Sequence, residues 1–204
     1  VTNKDWGHMW IQEGIGTYAE ALAMLEIGGQ SAYDEIIAGH RRGSKNKRPI
    51  VPAGDEITEE EVYSGGDIYG KGSFFMHSLR FVIGDEIFFP TLKKLATDPQ
   101  YTYDNFVTTM DVEKLFSNAS GKDLKPFFDF FLRTTQVLDI TVKEVGYQKF
   151  QIKQNNHFMN LPIEITANGQ TQRTMLSSEG IIINAALPPQ VDAKGYYLKK
   201  VTLL

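Results

Sequence analysis

Residues 5–20 read DWGHMWIQEGIGTYAE, and apolar residues recur at helical spacing from this stretch onward. The recurring positions are Trp10, Ile11, Ile15, Tyr18, Ala19, Leu22 and Leu25. Gly28 and Gly29 are typical of a helix end, and Ser31 is a suitable N-cap for a second helix. The sequence therefore predicts two consecutive helices, the first running from Met9 to Ile27.

The helical pattern continues through the first two-thirds of the chain. Thr58 precedes three Glu residues, as an N-cap precedes an acidic first turn. Further helices are predicted over residues 68–83 and 85–98, and a third that begins at Asp104. The segment after Gly121, KDLKPFFDFFLRTT, completes a set of short helices joined by tight turns.

The pattern changes near residue 135, where short alternating segments replace the helical spacing. These segments include FQIKQ, LPIEITA, QTQRTML and YYLKKVTLL. Asn168 and Gly169 tolerate the positive φ of a type I′ turn and predict a hairpin. We therefore predict an α+β protein, with a helical domain over residues 1–135 and a small antiparallel β-sandwich over residues 136–204.

Composition excludes several classes of function. A formal net charge of -4 argues against nucleic-acid binding. The basic run RRGSKNKR at residues 41–48 is interpreted as a solvated loop rather than a phosphate or membrane patch. The absence of cysteine excludes disulfides, thiolate metal sites and a cysteine nucleophile, and is compatible with a cytoplasmic or an exported protein. No apolar run approaches the ~18 residues of a transmembrane helix.

The opening stretch resembles the W-L-N-E-G-F-A-x-Y-x-E segment of the aminopeptidase N and leukotriene hydrolase family of gluzincins. In that family the Glu of this segment is the third zinc ligand, which implies this role for Glu13. The preceding VTNKDW resembles the link between the two halves of the family's active site, and the chain has no initiator Met. We expect a fragment of a longer enzyme, comprising the later half of a thermolysin-like catalytic domain and the small β-domain behind it.

The family's other two ligands are histidines in the pattern H-E-x-x-H, whose spacing places both on one helix face. The four histidines here are His8, His40, His77 and His157, and no two are separated by four residues. We expect the pair in an upstream half of the catalytic domain. A lone carboxylate binds zinc weakly, because tight sites use three or four ligands.

The segment DIYGKGSFFMHSLR, residues 67–80, resembles the family's Y-x-K-G motif. This implies that Tyr69 donates a hydrogen bond to the oxyanion of the transition state. Tyr63 is a weaker candidate, for a second tyrosine at the site. Glu20 is a candidate for a residue that partners the metal ligand Glu13. Lys71 and Gly72 are interpreted as structural.

Other residues match the site less well. His8 lies five residues before Glu13, a poor spacing for a shared helix face, and matches no family ligand. His77 is interpreted as a packed polar group. FSNASGKDLKPFFDFFLRTT and VDAKGYYLKK resemble later family segments, with Phe131 in place of Trp and Ala193 in place of Pro. The phenylalanines near the end of the first of these segments are interpreted as core and interdomain packing: Phe127, Phe128, Phe130 and Phe131.

The resemblance implies a zinc aminopeptidase that removes N-terminal residues from peptides by means of metal-activated water. We expect the fragment alone to be inactive and to bind zinc weakly. A non-catalytic peptide-binding or scaffold protein of the same fold is the alternative, and an intact H-E-x-x-H upstream would favour the enzyme. An epoxide hydrolase, like the family's bifunctional member, has no specific support.

Overall fold

The computed structural model describes residues 1–54, 56–65 and 67–204. They form two compact units, Val1–Thr135 and Gln136–Leu204. Helices dominate the first unit and strands the second, so the predicted α+β class is confirmed. None of the described helices has the length and apolar character needed to cross a lipid bilayer.

The first unit contains six helices among the described residues and one small parallel strand pair. The helices are α1 (Trp10–Gly43), α2 (Glu59–Tyr63), α3 (Asp67–Ile83), α4 (Asp85–Thr97), α5 (Thr109–Ser120) and α6 (Lys125–Leu132). The strands are β1 (Thr2–Asn3) and β2 (Phe106–Val107), which pair in parallel. A short 3-10 turn, Trp6–His8, precedes α1.

Helix α1 is interrupted where the sequence predicts. Gly29 has φ 71° and ψ -169°, values that lie outside the helical region of backbone angles. Helical geometry resumes after it. Positive φ is accessible to glycine without steric cost. The two predicted helices are thus two arms of α1 that meet at Gly29.

The start of α5 differs from the prediction. Asp104 does not open this helix, because residues 106–107 are paired as β2 and the helix begins only at Thr109. The Thr108 hydroxyl accepts from the Asp111 N–H, and the Asp111 carboxylate accepts from the Thr108 N–H. This reciprocal capping box stabilises the later start. Thr58 and Glu61 form the same motif at α2, where a helix start is predicted.

Helices α1 and α3 cross at two glycines. A Cβ placed on Gly14 would lie 2.7 Å from the Gly72 Cα and 2.8 Å from the Ile68 carbonyl oxygen. A Cβ on Gly72 would lie 2.8 Å from the Gly14 Cα. Backbone atoms cannot move aside by changing rotamer, so only glycine permits this approach. The structural role predicted for Gly72 is confirmed.

An aromatic core surrounds this crossing. Trp10 packs edge-to-face on Phe75, with ring centroids 5.4 Å apart, and also meets Phe128. The Trp10 indole N–H donates to the Thr109 hydroxyl, which links α1 to α5. The phenylalanines of α6 are buried, as predicted: Phe127, Phe128, Phe130 and Phe131.

Two buried charges secure the chain around the start of α3. The Asp67 carboxylate accepts the backbone N–H groups of Lys45 and Asn46 at 2.8 and 2.6 Å. The Lys71 ammonium donates to the Thr134 carbonyl at 3.0 Å. Burial lowers the pKa of Lys71 to about 8, and the nearby Asp67 carboxylate opposes that shift.

The second unit consists of two sheets. One has the strand order β7-β4-β3-β9 and the other β6-β5-β8. Their strands are β3 (Leu138–Gly146), β4 (Lys149–Gln154), β5 (Leu161–Ala167), β6 (Gln170–Leu176), β7 (Ile181–Asn184), β8 (Gln190–Val191) and β9 (Lys199–Leu203).

The turn and pairing of these strands follow the prediction with one exception. Asn168 and Gly169 both have positive φ, 51° and 77°, so the hairpin between β5 and β6 is confirmed. Strand β9, however, runs parallel to β3 rather than antiparallel. The buried Asp192 carboxylate accepts the backbone N–H groups of Tyr196 and Tyr197 and pairs with Lys199, so it fixes the turn that leads into β9.

The glycine crossing predicts a sharp contrast between two alanine substitutions. Gly14→Ala should lower the free energy of unfolding by about 1–3 kcal/mol, because the new methyl group meets backbone atoms. Gly16→Ala is the matched control in the same helix, since nothing lies within 4 Å of the position that its new Cβ would take. It should raise stability by up to about 1 kcal/mol. Denaturant unfolding of the two variants measures the difference, and equal effects would contradict a tight crossing.

Because the pKa of Lys71 is lowered in the folded chain, we predict that the free energy of unfolding depends on pH. The folded-state pKa of Lys71, about 8, lies below its ordinary value, so the unfolded chain binds the extra proton between about pH 8 and 10.5. The stability of the wild type relative to Lys71→Met should therefore rise across that window, by up to about 3 kcal/mol. Chemical unfolding at several pH values measures this rise. Lys93→Met, at an exposed position of α4, should show no comparable trend.

Candidate active site

Glu13 lies at the glycine crossing, one residue before Gly14 and partly buried in the first turns of α1. Its Oε1 atom accepts a hydrogen bond from the Tyr63 hydroxyl, with the two oxygens 3.2 Å apart. Among the described residues no cation lies within ion-pair distance of this carboxylate. Glu13 is thus a partly buried anion oriented by one neutral donor.

Tyr63, at the end of α2, lies between Glu13 and Tyr69. The Tyr63 and Tyr69 rings have centroids 6.3 Å apart, and the Trp6 ring contacts Tyr63 edge-on at 6.1 Å. Partial burial, together with the neighbouring Glu13 carboxylate, raises the pKa of the Tyr63 phenol. The hydroxyl therefore keeps its proton and can act as the donor to Glu13.

Tyr69 stands in the first turn of α3, three residues before Gly72. Its side chain is 39% exposed, so its ring contacts Tyr63 while part of its surface stays open to solvent. The structure thus brings together three of the residues singled out in the sequence: Glu13, Tyr63 and Tyr69. The close approach of α1 and α3 brings Glu13 and Tyr69 to the same crossing, and Tyr63 of α2 contacts both residues.

Glu20 lies outside this cluster. Its side chain is exposed two turns further along α1, where its charge acts on His40 and opposes the lowering of the His40 pKa by burial. His40 in turn bonds Ser73 on α3, with 2.9 Å between Nδ1 and the hydroxyl oxygen. No hydrogen bond joins Glu20 to Glu13 within the described residues.

His8 is held by α5 rather than by Glu13. Its Nδ1 atom accepts the backbone N–H of Thr109 at 3.2 Å, which leaves the ring proton on Nε2. That nitrogen lies 3.9 Å from the Asp5 carboxylate. Burial lowers the pKa of His8. The imidazole is thereby kept neutral in a structural role.

His77 is buried and bonded within a polar network that the sequence did not reveal. Its Nδ1 atom lies 2.7 Å from the Tyr33 hydroxyl, which lies 3.0 Å from the Tyr18 hydroxyl. Arg80 stacks over the Tyr33 ring and forms a two-bond salt bridge with Asp85. Burial lowers the pKa of His77 to about 3, so the prediction of a packed polar group is confirmed.

Trp6 is the member of the cluster that sequence reasoning missed. Its partner Tyr63 is more than fifty positions away in the sequence, so no local spacing could connect the two. The available signal was its place in VTNKDW, the segment that resembles the link between the two halves of the family's active site. Beside it, the Asp5 carboxylate caps the 3-10 turn through the Gly7 N–H.

The cluster fits one part of a metal site. Zinc accepts carboxylate oxygen among its ligands, and Glu13 is a carboxylate that lacks a cationic partner among the described residues. Metal-binding groups usually have their orientation fixed by a further hydrogen bond, and Tyr63 makes such a bond. No group of three or more metal-binding side chains occurs within the described residues. Glu13 therefore fits as one metal ligand, and the described residues do not provide a complete ligand set around it.

Comparison with known proteins identifies the family of this chain. The Peptidase family M1 domain matches residues 1–131. The Aminopeptidase N of Lactococcus lactis subsp. lactis is 29% identical over 143 residues, which cover 65% of this chain and 16% of that protein.

Among solved structures, Legionella pneumophila aminopeptidase A, in a crystal structure with aspartic acid, matches with a TM-score of 0.71. The match has 20% identity and covers 98% of this chain and 25% of that one, so it shows a shared fold. This chain spans only about a sixth to a quarter of the length of these two relatives. Because the family match covers well over half of its residues, the chain belongs to peptidase family M1.

Proposed function

We propose that this chain is part of a longer zinc metalloaminopeptidase, which hydrolyses N-terminal residues from peptides. Membership of peptidase family M1 and the similarity to an Aminopeptidase N support the class of reaction. The observation that carries the proposal is the cluster at the α1–α3 crossing. There a carboxylate without a cationic partner among the described residues, Glu13, faces Tyr63, whose ring contacts the exposed Tyr69.

Glu13 is the residue of this chain that would hold the metal. One of its oxygens is bonded by Tyr63, and the other has no hydrogen-bond partner among the described residues. When bound, a zinc ion supplies Lewis acidity, which activates water and polarises a carbonyl. Tyr63 fixes the carboxylate, so less conformational freedom is lost when a ligand bond forms.

Tyr69 is the residue of this chain that would stabilise the transition state. A phenol keeps its proton at neutral pH and donates a strong hydrogen bond. A donor fixed beside a developing oxyanion lowers the barrier, because it need not reorient during the reaction. The helix start and the Tyr63 ring hold Tyr69 in place while its surface stays open to a ligand.

The isolated chain would be inactive in this proposal. The described part of the site contains one candidate ligand, and the neighbouring His8 is engaged by Thr109. A histidine pair from an upstream half of the catalytic domain would complete the site. Peptide hydrolysis by the longer protein distinguishes this enzyme from a scaffold that binds peptides without cleaving them.

Tyr69→Phe in the longer protein should lower kcat for an aminoacyl-anilide by about 10²–10³-fold with little change in KM, because the lost donor acts in the transition state. Tyr103→Phe is the control, since this tyrosine is 80% exposed in the same unit. Steady-state kinetics of both variants provide the measurement. A kcat equal to that of wild type would remove Tyr69 from the mechanism.

Tyr63→Phe should weaken zinc binding by about 10–100-fold, since the carboxylate at position 13 loses the donor that orients it. Competition with a chromogenic chelator measures the zinc dissociation constant of the longer protein without reference to activity. Tyr103→Phe again serves as control. Unaltered zinc affinity in Tyr63→Phe would show that the observed hydrogen bond does not support the metal ligand.

A further inference from the structure

A separate cavity of about 190 Å³ adjoins the site and is lined by α2, the start of α3, residues 48–53 and Ile57. Its floor is apolar and buried, with Ile50, Val62 and Ile68 among its lining residues. Arg48 and Glu61 line it from exposed positions. Sites for complete small molecules usually measure roughly 300–1,000 Å³, so this cavity fits a single side chain.

The charged side chains that line the cavity differ in how many of their hydrogen-bonding groups already have partners. The Glu61 carboxylate is engaged by the N–H and hydroxyl groups of Thr58. The Asp67 carboxylate is occupied by two backbone N–H groups. Arg48 donates one hydrogen bond, to the Ser64 hydroxyl at 3.0 Å, and no carboxylate of the described residues lies within ion-pair distance of it. Its charge does reach Glu61, whose pKa is lowered by the hydrogen bonds from Thr58 and, to a smaller extent, by Arg48. The guanidinium therefore keeps most of its donors for a ligand.

This cavity shares an element with the candidate active site. Ser64, which accepts from Arg48, directly follows Tyr63, the residue bonded to Glu13. Adjacent Cα atoms lie about 3.8 Å apart, so the Arg48 guanidinium lies within about 10 Å of the Tyr63 backbone. An extended peptide rises by roughly 3.3 Å per residue, so about three residues span the distance from the guanidinium to the Tyr63 backbone.

We propose that this cavity binds the C-terminal residue of a short peptide, with an apolar side chain on the floor and the α-carboxylate paired with Arg48. This inference extends the proposed aminopeptidase function, on which it rests, by naming its substrate class, short peptides with an apolar C-terminal residue. The planar guanidinium matches a carboxylate through two parallel hydrogen bonds.

The charge around the cavity favours a carboxylate over a phosphate. Glu61 and Asp67 both line it, and their negative charge opposes a dianion more strongly than a monoanion. The apolar floor also offers a phosphate nothing to contact, whereas it matches a Leu or Phe side chain. Arg48 thus gains a specific role within the basic run at residues 41–48, which the sequence predicts to be a solvated loop but whose first three residues end α1.

The test uses the 204-residue chain itself with N-acetyl-Ala-Leu, as the free acid and as the C-terminal amide. The acetyl group removes the free amine that an aminopeptidase requires, so binding here does not depend on the catalytic proposal. Saturable amide chemical-shift changes are expected at Ile50, Val62 and Ile68, with the free acid binding at least about tenfold more tightly than the amide. Inorganic phosphate should produce no saturable shift at these positions.

Arg48→Gln should reduce the affinity for the free acid to that for the amide. Arg42→Gln removes an exposed cation from the same basic run but outside the cavity, and should leave the affinity unchanged. Equal affinities of acid and amide for the wild-type chain would overturn the proposal, as would equal effects of the two substitutions. Hydrolysis by the longer protein is measured separately, so loss of catalysis with retained binding would refute only the enzymatic function.

Discussion

The contact between Gly14 and Gly72 is the constraint on which the site depends. Two helices can approach to the point where their backbones touch only if neither carries a side chain there. Glu13 is next to one of these glycines and Tyr69 is one turn before the other. A larger residue at either position would separate the helices and move the carboxylate away from the tyrosine rings.

Within the helical unit, the Glu13 carboxylate has fewer compensating contacts among the described residues than the buried Asp67 carboxylate has. Buried charges are costly unless they are paired or hydrogen-bonded, and the chain satisfies them elsewhere. Asp67 accepts two backbone N–H groups, and Lys71 donates to a carbonyl beside an acidic neighbour. Among the described residues, Glu13 receives a single bond, from a phenol at 3.2 Å. Such an arrangement leaves one carboxylate oxygen ready for a further partner.

Local patterns predicted much of this architecture. The helix before Gly28, the capping box at Thr58 and the Asn168-Gly169 hairpin follow from backbone preferences that act over a few residues. The motifs around Glu13 and Tyr69 indicated both residues, because a sequence motif carries information about a site even when its parts are distant.

Long-range relations could not be predicted in the same way. Three features depend on tertiary placement: the Trp6–Tyr63 contact, the parallel pairing of β9 with β3, and the Arg48 N–H groups that have no hydrogen-bond partner among the described residues. The true start of α5 depended on Phe106 and Val107 pairing with a strand about a hundred residues earlier. A helix that begins at Asp104 would have removed that pairing. The capping box of Thr108 and Asp111 is a local signal for the later start, whereas the strand pairing is a long-range contact.

In the proposed enzyme, the Glu13 carboxylate and the Tyr69 hydroxyl face one metal. Anomalous diffraction at the zinc absorption edge, from crystals of the longer protein grown with zinc, locates the ion directly. The account predicts an anomalous peak about 2.0–2.2 Å from a Glu13 oxygen, with the Tyr69 hydroxyl directed into the same space. A zinc peak remote from Glu13, or a Tyr69 hydroxyl directed away from the ion, would contradict it.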